Sequence, residues 1–362
     1  MKRFSGLVLL LLSLTPLLEA EEEHRRPWGV VPLPIIAYSP DFGGMFGAAA
    51  IFFYGPDVGL SEEERQGLRN NTVALNSIIT TNGSFIGAVA TTNYFASEAL
   101  RWDNTLSGNR IPRAFFGIGP GAEDEEQFSA LSLGGQTNLN LQAAEDLFLG
   151  PLYQFEAVSI EERERGGALD SGEILGSEDD LLVSGGGVRL IYDTTGGVFW
   201  PTRGYVFDAD IRYFLESLGS SYSFGLYGAD LRRYFNLFSD HVLALQGRYY
   251  SSWGDVPFQF LPSVGGDGPK RGVLEERYRA ESALTAQIEY RLPLNRRFAL
   301  VGFFSGGQVG ETLVDVDILD PVLAGGLGFR IALNTEQRLN LRIDIAYAES
   351  GISPYVNVRE AF

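Results

Sequence analysis

The sequence predicts an all-β fold, a transmembrane up-and-down antiparallel β-barrel of about sixteen strands. Three observations predict it. Apolar and polar residues alternate with a period of two along most of the chain, as where Leu339, Leu341, Ile343, Ile345 and Tyr347 interleave with Asn340, Arg342, Asp344 and Ala346. Such a period puts one set on each face of a strand, and an ionised face behind an apolar one suits lipid outside and water inside. Beyond the first segment, no apolar run reaches the ~20 residues that a helix needs to cross a bilayer, and the best, Met45 to Tyr54, is about half that. Polar connections are mostly short after every second strand and long after the others, which is the asymmetry of outer-membrane barrels.

Residues 1–20 read as a secretory signal peptide. Lys2 and Arg3 supply the positive start, Leu7 to Leu12 with Leu14, Leu17 and Leu18 the apolar core, and Ala20 a cleavage position. The competing reading, an N-terminal membrane helix, is interrupted by Pro16 and Glu19. Residues 21–30 form a short periplasmic N-terminal segment and 31–362 the barrel. Strands are expected at 31–39, 44–54, 71–81, 84–96, 98–105, 127–141, 147–160, 181–192, 203–215, 221–235, 241–252, 278–292, 297–309, 322–333, 338–348 and 353–362. A phase slip near Gly228 marks a bulge in the tenth. Ser39-Pro40-Asp41-Phe42-Gly43 and Thr81-Asn82-Gly83 suit tight hairpins. Long polar segments fall at 106–126, 161–180, 253–277 and 310–321, all on the outer side if the first strand runs outward. The connection 55–70 is long yet falls on the short side, and its Glu62-Glu63-Glu64-Arg65 run reads as a surface helical turn. A secreted β-sandwich would also alternate, but with shorter strands and a less uniformly apolar outer face.

Composition narrows the function. The chain carries 28 Lys and Arg against 46 Asp and Glu, a net charge of -18. That argues against nucleic acid as a partner, because phosphates need clustered cations. With no Cys there is no disulfide framework, thiolate metal site or Cys nucleophile. Only His24 and His241 are present, and Ser239, Asp240 and His241 are consecutive, which does not give triad geometry. The sequence therefore predicts no enzyme, cofactor or metal site. The carboxylate runs Glu123 to Glu126, Glu161 to Glu164 and Glu178 to Asp180 read as solvated loops, the alternative being divalent cations shared with acidic lipid headgroups.

The most specific motif runs from Tyr192 to Tyr205 and holds Trp200, Pro201, Thr202, Arg203 and Gly204. A strand, then Pro-Thr-Arg-Gly-Tyr, then Phe207, Ala209, Ile211 and Tyr213 alternating with Asp208, Asp210 and Arg212, resembles the bacterial surface-antigen family, the outer-membrane assembly barrels of the BamA/TamA type. Further segments resemble that family in the expected order. They are Ile35 to Tyr54, Gly265-Gly266-Asp267-Gly268-Pro269-Lys270-Arg271-Gly272, Glu289 to Leu294, Gly326 to Arg330 and Arg342 to Ala346. The resemblance is strong over 185–362 and weaker before. It implies a barrel that helps insert or translocate proteins or lipids by perturbing the bilayer at a lateral seam. The partners implied are outer-membrane lipids and the barrel-assembly machinery that inserts the chain itself. Two departures stand out. The family usually carries POTRA domains, and this chain is read as having none, so a separate periplasmic partner would have to replace them. In the family's strand thirteen an acidic residue precedes the Gly; here Ser305 stands at that place. The alternative functions are a passive pore or structural barrel and, less favoured, a lipid enzyme.

The Gly-rich connection around Arg271 can fold into a wide lumen, where a guanidinium removed from water needs a carboxylate. Arg271, with Gly272, is expected to pair with Glu289 first, otherwise with Glu281 or Asp344. The inward set Arg279, Glu281, Glu289, Arg291, Arg330, Arg342 and Asp344 is expected to fill the lumen. Lys270 among these glycines lacks phosphate-loop spacing. Pro32 and Pro34 in the first strand and Pro354 in the last lack donor N–H groups, so the seam between those strands carries fewer ladder bonds. This is a gate on one reading and an ordinary strand start on the other. Val356, Val358 and Phe362 are expected on one face as a C-terminal assembly signal, with Glu360 departing from the pattern.

Overall fold

The computed structural model describes residues 28–55, 70–96, 99–122, 125–195, 199–238, 240–268, 270–335, 338–358 and 360–362. The expected signal peptide, residues 21–27, His24, Ser239 and the Glu62 to Arg65 run lie outside them. The strands are β1 (Trp28–Ser39), β2 (Gly43–Tyr54), β3 (Asn71–Thr80), β4 (Phe85–Phe95), β5 (Leu100–Phe115), β6 (Glu126–Ala144), β7 (Leu147–Arg163), β8 (Asp180–Asp193) and β9 (Gly204–Phe214). They continue with β10 (Phe224–Asn236), β11 (Val242–Gly254), β12 (Ser263–Val264), β13 (Tyr278–Arg279), β14 (Ser282–Pro293), β15 (Phe298–Gly310), β16 (Val322–Asn334), β17 (Leu339–Ala348) and β18 (Gly351–Val358). Sixteen of them close into one antiparallel barrel; β12 and β13 pair only with each other, inside the connection from β11 to β14.

Alternation positions every side chain. On β14, Ala283, Thr285, Gln287, Glu289 and Arg291 are buried in the lumen, whereas Ile288 is 41% exposed on the outside. On β17, Asn340, Arg342 and Asp344 point in, and Ile345 and Tyr347 are 57% and 67% exposed. An outer wall of this composition is stable only against an apolar medium.

Four differences from the sequence reading have local causes. The fifth strand runs to Phe115, since β5 stays paired with β6 through Phe115↔Glu126. No bulge occurs at Gly228: the pairing of β10 with β9 and β11 is continuous there, and the missing side chain leaves room for the Tyr250 ring, 2.8 Å from where a Cβ would stand. Bulges fall instead in β6, in β7 at Glu161, and in β16. The last strand ends at Val358, and residues 360–362 turn into the lumen. Glu126 is not a solvated loop carboxylate. It accepts hydrogen bonds from the backbone N–H groups of Ala168 (2.6 Å) and Leu169 (3.1 Å), at the start of the helical turn α1 (Ala168–Ser171).

The connection 255–281 closes the long-loop end. Phe258 sits 1% exposed between Phe115 and Phe128, in a cluster with Ile160 and Leu169. Phe260 packs on Phe214 and Phe224, whose rings stack at 4.6 Å. Burial of aromatic rings at the root of the connection holds its remainder inside the barrel. Phe258→Ala is expected to destabilise the folded barrel by about 3 kcal/mol, read as a lower urea midpoint for loss of the compact electrophoretic form.

Candidate functional site

Below its aromatic root the connection narrows to a tip, Lys270-Arg271-Gly272, that lies against the inner face of β14 to β18. Gly265 (φ +150°) has no room for a side chain, since a Cβ would stand 1.9 Å from the Leu274 carbonyl oxygen. Gly272 (φ +100°) donates its N–H to Tyr355 Oη at 2.8 Å and accepts from Ser350 Oγ at 3.0 Å, against a wall of Ala324, Ala346 and Ala348. Only a residue free of Cβ strain takes this conformation so close to the alanine wall.

Arg271 stands 1% exposed in the lumen. Its Nη2 donates to Glu289 Oε2 at 2.7 Å, its Nη1 to Asp344 Oδ2 at 2.6 Å, and its Cζ lies 3.6 Å over the Phe303 ring. Glu289 and Asp344 come from β14 and β17, so the loop ties two strands that are not neighbours. Each carboxylate has a second cation: Arg291 Nε donates to Glu289 Oε1 at 2.8 Å, and Arg330 Nη1 to Asp344 Oδ1 at 2.5 Å. Arg330 Nε also donates to Glu360 Oε2 at 2.6 Å, and Arg342 to Asp267 at 3.1 Å. Four guanidiniums thus meet four carboxylates. Buried ions pay a large desolvation cost, which is met only when each is paired and hydrogen-bonded.

The network reaches the short-turn end. The segment 199–203 after β8 folds inward, and Trp200 packs on Val301, Phe303, Ala346 and Tyr355. Arg291 lies 5.0 Å above the Trp200 ring, donates to the Pro201 carbonyl at 3.2 Å and to the Phe362 carbonyl at 2.8 Å. Phe362 packs with Tyr234, Val242 and Ala244. Gly204 (φ +103°) turns the chain back into β9, Arg203 is exposed, and Thr202 is half-buried.

Residues 69–351 match the sequence profile of the Omp85 superfamily domain. The chain belongs to the Omp85 superfamily. Among solved structures, this Omp85 barrel is similar to BamA from Haemophilus ducreyi lacking POTRA domains 1-3, with TM-score 0.62 and 15% identity over 92% of this chain and 70% of that one. It is also similar to CdiB from Acinetobacter baumannii (TM-score 0.57, 12% identity, 92% of this chain) and CdiB from Escherichia coli (TM-score 0.58, 8% identity, 93% of this chain). The chain spans 60% and 63% of those two CdiB chains. At such identities the likeness is one of fold. No curated protein sequence matches significantly.

The structure brings together Arg271, Gly272, Glu289 and Asp344 of the expected residues. Glu281 is not among them: it lies just before β14 begins and is exposed, because the inward alternation starts only with the strand. Arg279 is buried but belongs to β13, where it donates to the Phe258 carbonyl and Glu276. Ser305 is buried and its Oγ lies 3.5 Å from the Ala324 carbonyl; Glu289 and Asp344 supply the acidic partners instead. Phe362 and Glu360 point into the lumen rather than onto an outer face. Pro32, Pro34 and Pro354 face outward. Among the described residues no carboxylate cluster has metal-ligand geometry. Sequence reasoning missed Asp267, Gln287 and Glu360 as network members; only the bulk of Trp200 in a Gly/Pro turn hinted that this segment turns inward.

At the long-loop end, Asp41 Oδ1 in the β1–β2 turn accepts the Glu275 N–H at 2.6 Å. Glu275 keeps contact with solvent, and its carboxyl is pushed up to about 7 by desolvation from the surrounding loop and by Glu276, Asp41 and Asp267, although Arg113 pulls it down. A carboxyl whose folded value exceeds its ordinary 4.5 favours the folded state when protonated, so stability falls as pH rises from about 4.5 to about 7. Glu275→Gln is expected to flatten that decline in urea midpoints measured between pH 5 and 8. Arg271→Ala takes one of two cations from each of two buried carboxylates and is expected to destabilise by about 3–5 kcal/mol. Lys270, buried with no partner for its Nζ among the described residues, should tolerate Lys270→Met without loss of stability, because no ion pair is broken. Urea unfolding of the two variants side by side checks the contrast.

Proposed function

We propose that this barrel helps proteins or lipids enter or cross an outer membrane by opening between β1 and β18. The observation that carries the reading is the pairing at that seam. β1 and β18 share one register pair, Tyr38↔Val356, among the described residues. Every other neighbouring pair in the barrel shares eight or more. Two features thin the seam. Prolines at 32, 34 and 354 remove donors. Glu360 and Phe362 are drawn into the lumen by Arg330, Asn340 and Arg291, which bind the Glu360 carboxylate and the Phe362 main-chain oxygen.

The consequence is an edge. Most of β1 is laddered to β2 on one side only, and an unpaired strand edge is a template for another extended segment. The short-turn end then faces the periplasm and the long loops face outward. The partners that follow are the lipids around the wall, the machinery that inserts the barrel, and a periplasmic protein that delivers clients. The loop bound inside the lumen supports this reading over a passive pore. A cavity of about 630 Å³ is lined by Arg212, Arg232, Asp230, Arg248 and Glu156 beneath loop residues.

Tyr38→Cys with Val356→Cys places two thiols on directly opposed residues, within the usual span of a disulfide, in a chain with no other Cys. In proteoliposomes, oxidation of this pair is expected to slow assisted folding of an unfolded barrel client at least tenfold, and reductant to restore it. An unchanged rate, or a steady ohmic conductance in planar bilayers, would count for the pore.

A further inference from the structure

Arg233 is an unexplained charge. On β10 the residues Asp230, Arg232 and Tyr234 face the lumen, where Arg232 bonds Asp230 and Tyr234 packs under Phe362. Alternation sends Leu231, Arg233 and Phe235 outward, and Leu231 and Phe235 are 52% and 37% exposed. Arg233 stands opposite Tyr205 on β9 and Leu245 on β11. Its Cζ lies 3.6 Å over the Tyr205 ring and 4.6 Å from the Phe235 ring. The outward positions of β9, β10, β11 and β14 hold no carboxylate: on β9 they are Tyr205, Phe207, Ala209, Ile211 and Tyr213. Arg233 makes no ion pair or hydrogen bond among the described residues, and its Nε is buried without a partner.

A guanidinium on an otherwise apolar wall must find its counter-charge outside the protein. Its height fits a headgroup. Arg233 lies three residues from the end of β10, Asn236; at ~3.3 Å per residue and a tilt of about 40° this is roughly 8 Å from the short-turn rim. Stacking on two rings holds the planar fork in place and leaves its far edge free to bind a phosphate bidentately. We propose that Arg233, with Tyr205 and Phe235, binds the phosphate of an anionic phospholipid in the leaflet at the short-turn end. The site rests on the chain being a membrane barrel, and lies on the wall away from the seam.

The test uses the full chain in nanodiscs that mix phosphatidylglycerol with phosphatidylcholine, followed by native mass spectrometry of the released protein. Wild type is expected to retain phosphatidylglycerol selectively. Arg233→Leu should hold it about fivefold more weakly, as one surface cation is worth, and Arg233→Lys should fall between, since charge survives and stacking does not. Inorganic phosphate added at matching concentration should not displace the lipid. Equal retention by wild type and Arg233→Leu overturns the proposal. So does displacement by inorganic phosphate, which makes this a free-anion site, or an Arg233-dependent binding of polyglutamate with no lipid preference, which makes it a protein contact. Failure of the wild type to enter nanodiscs would instead overturn the membrane reading itself. If Arg233→Leu does not fold, Arg233→Gln gives the same readout.

Discussion

A charged loop residue buried in the lumen governs this molecule. Arg271 bridges Glu289 on β14 and Asp344 on β17 while its guanidinium lies on the Phe303 ring of β15. A barrel of sixteen strands is too wide for its own side chains to fill. The connection 255–281 supplies the missing contents, and it stays there because leaving would strand two carboxylates with one cation fewer. The geometry asks for arginine in particular: one planar fork reaches two carboxylates on different strands, which a lysine ammonium on a flexible stem would not hold in place.

The same carboxylates connect regions that would otherwise be independent. Arg291 shares Glu289 with Arg271 and also holds the Pro201 and Phe362 carbonyls, so the short-turn end, the loop tip and the last residues meet at one group. Arg330 shares Asp344 and holds Glu360. Residues that could have lengthened β18 are spent on the lumen network, and the seam with β1 is left with one register pair among the described residues. A well-paired interior and a poorly paired seam are thus two results of one arrangement. The Asp41–Glu275 hydrogen bond adds a second tie, from the loop to the hairpin that begins with β1.

Much of the fold was legible because its signal is local. A period of two, hairpin turns and long polar segments are properties of neighbouring residues, and they placed all sixteen barrel strands. The misses follow the same logic. The sequence pattern ends the fifth strand at 105 and reads 106–126 as a polar connection; only pairing with β6 makes Leu106 to Phe115 strand. Gly228 looked like a slip in phase because a glycine reads as neither face; the Tyr250 ring across the pair explains it. Of the candidate site, Glu289 and Asp344 could be named from their inward parity and Arg271 from its glycine-rich connection, whereas Glu281 shared the parity and failed because it stands before the strand.

The sequence alone determined which residues could lie inside, since side-chain parity on a strand needs no knowledge of the partner. It also determined that the inside would be ionised, the outside apolar, and the Arg271 connection long and glycine-rich enough to enter. Only the tertiary structure decided which carboxylates meet Arg271, that Trp200 rises from the short-turn end beneath Arg291, and that Glu360 and Phe362 leave the wall. Those outcomes join strands far apart in the chain, and the closing of the barrel sets the distances among them. No local pattern along the chain carries that information.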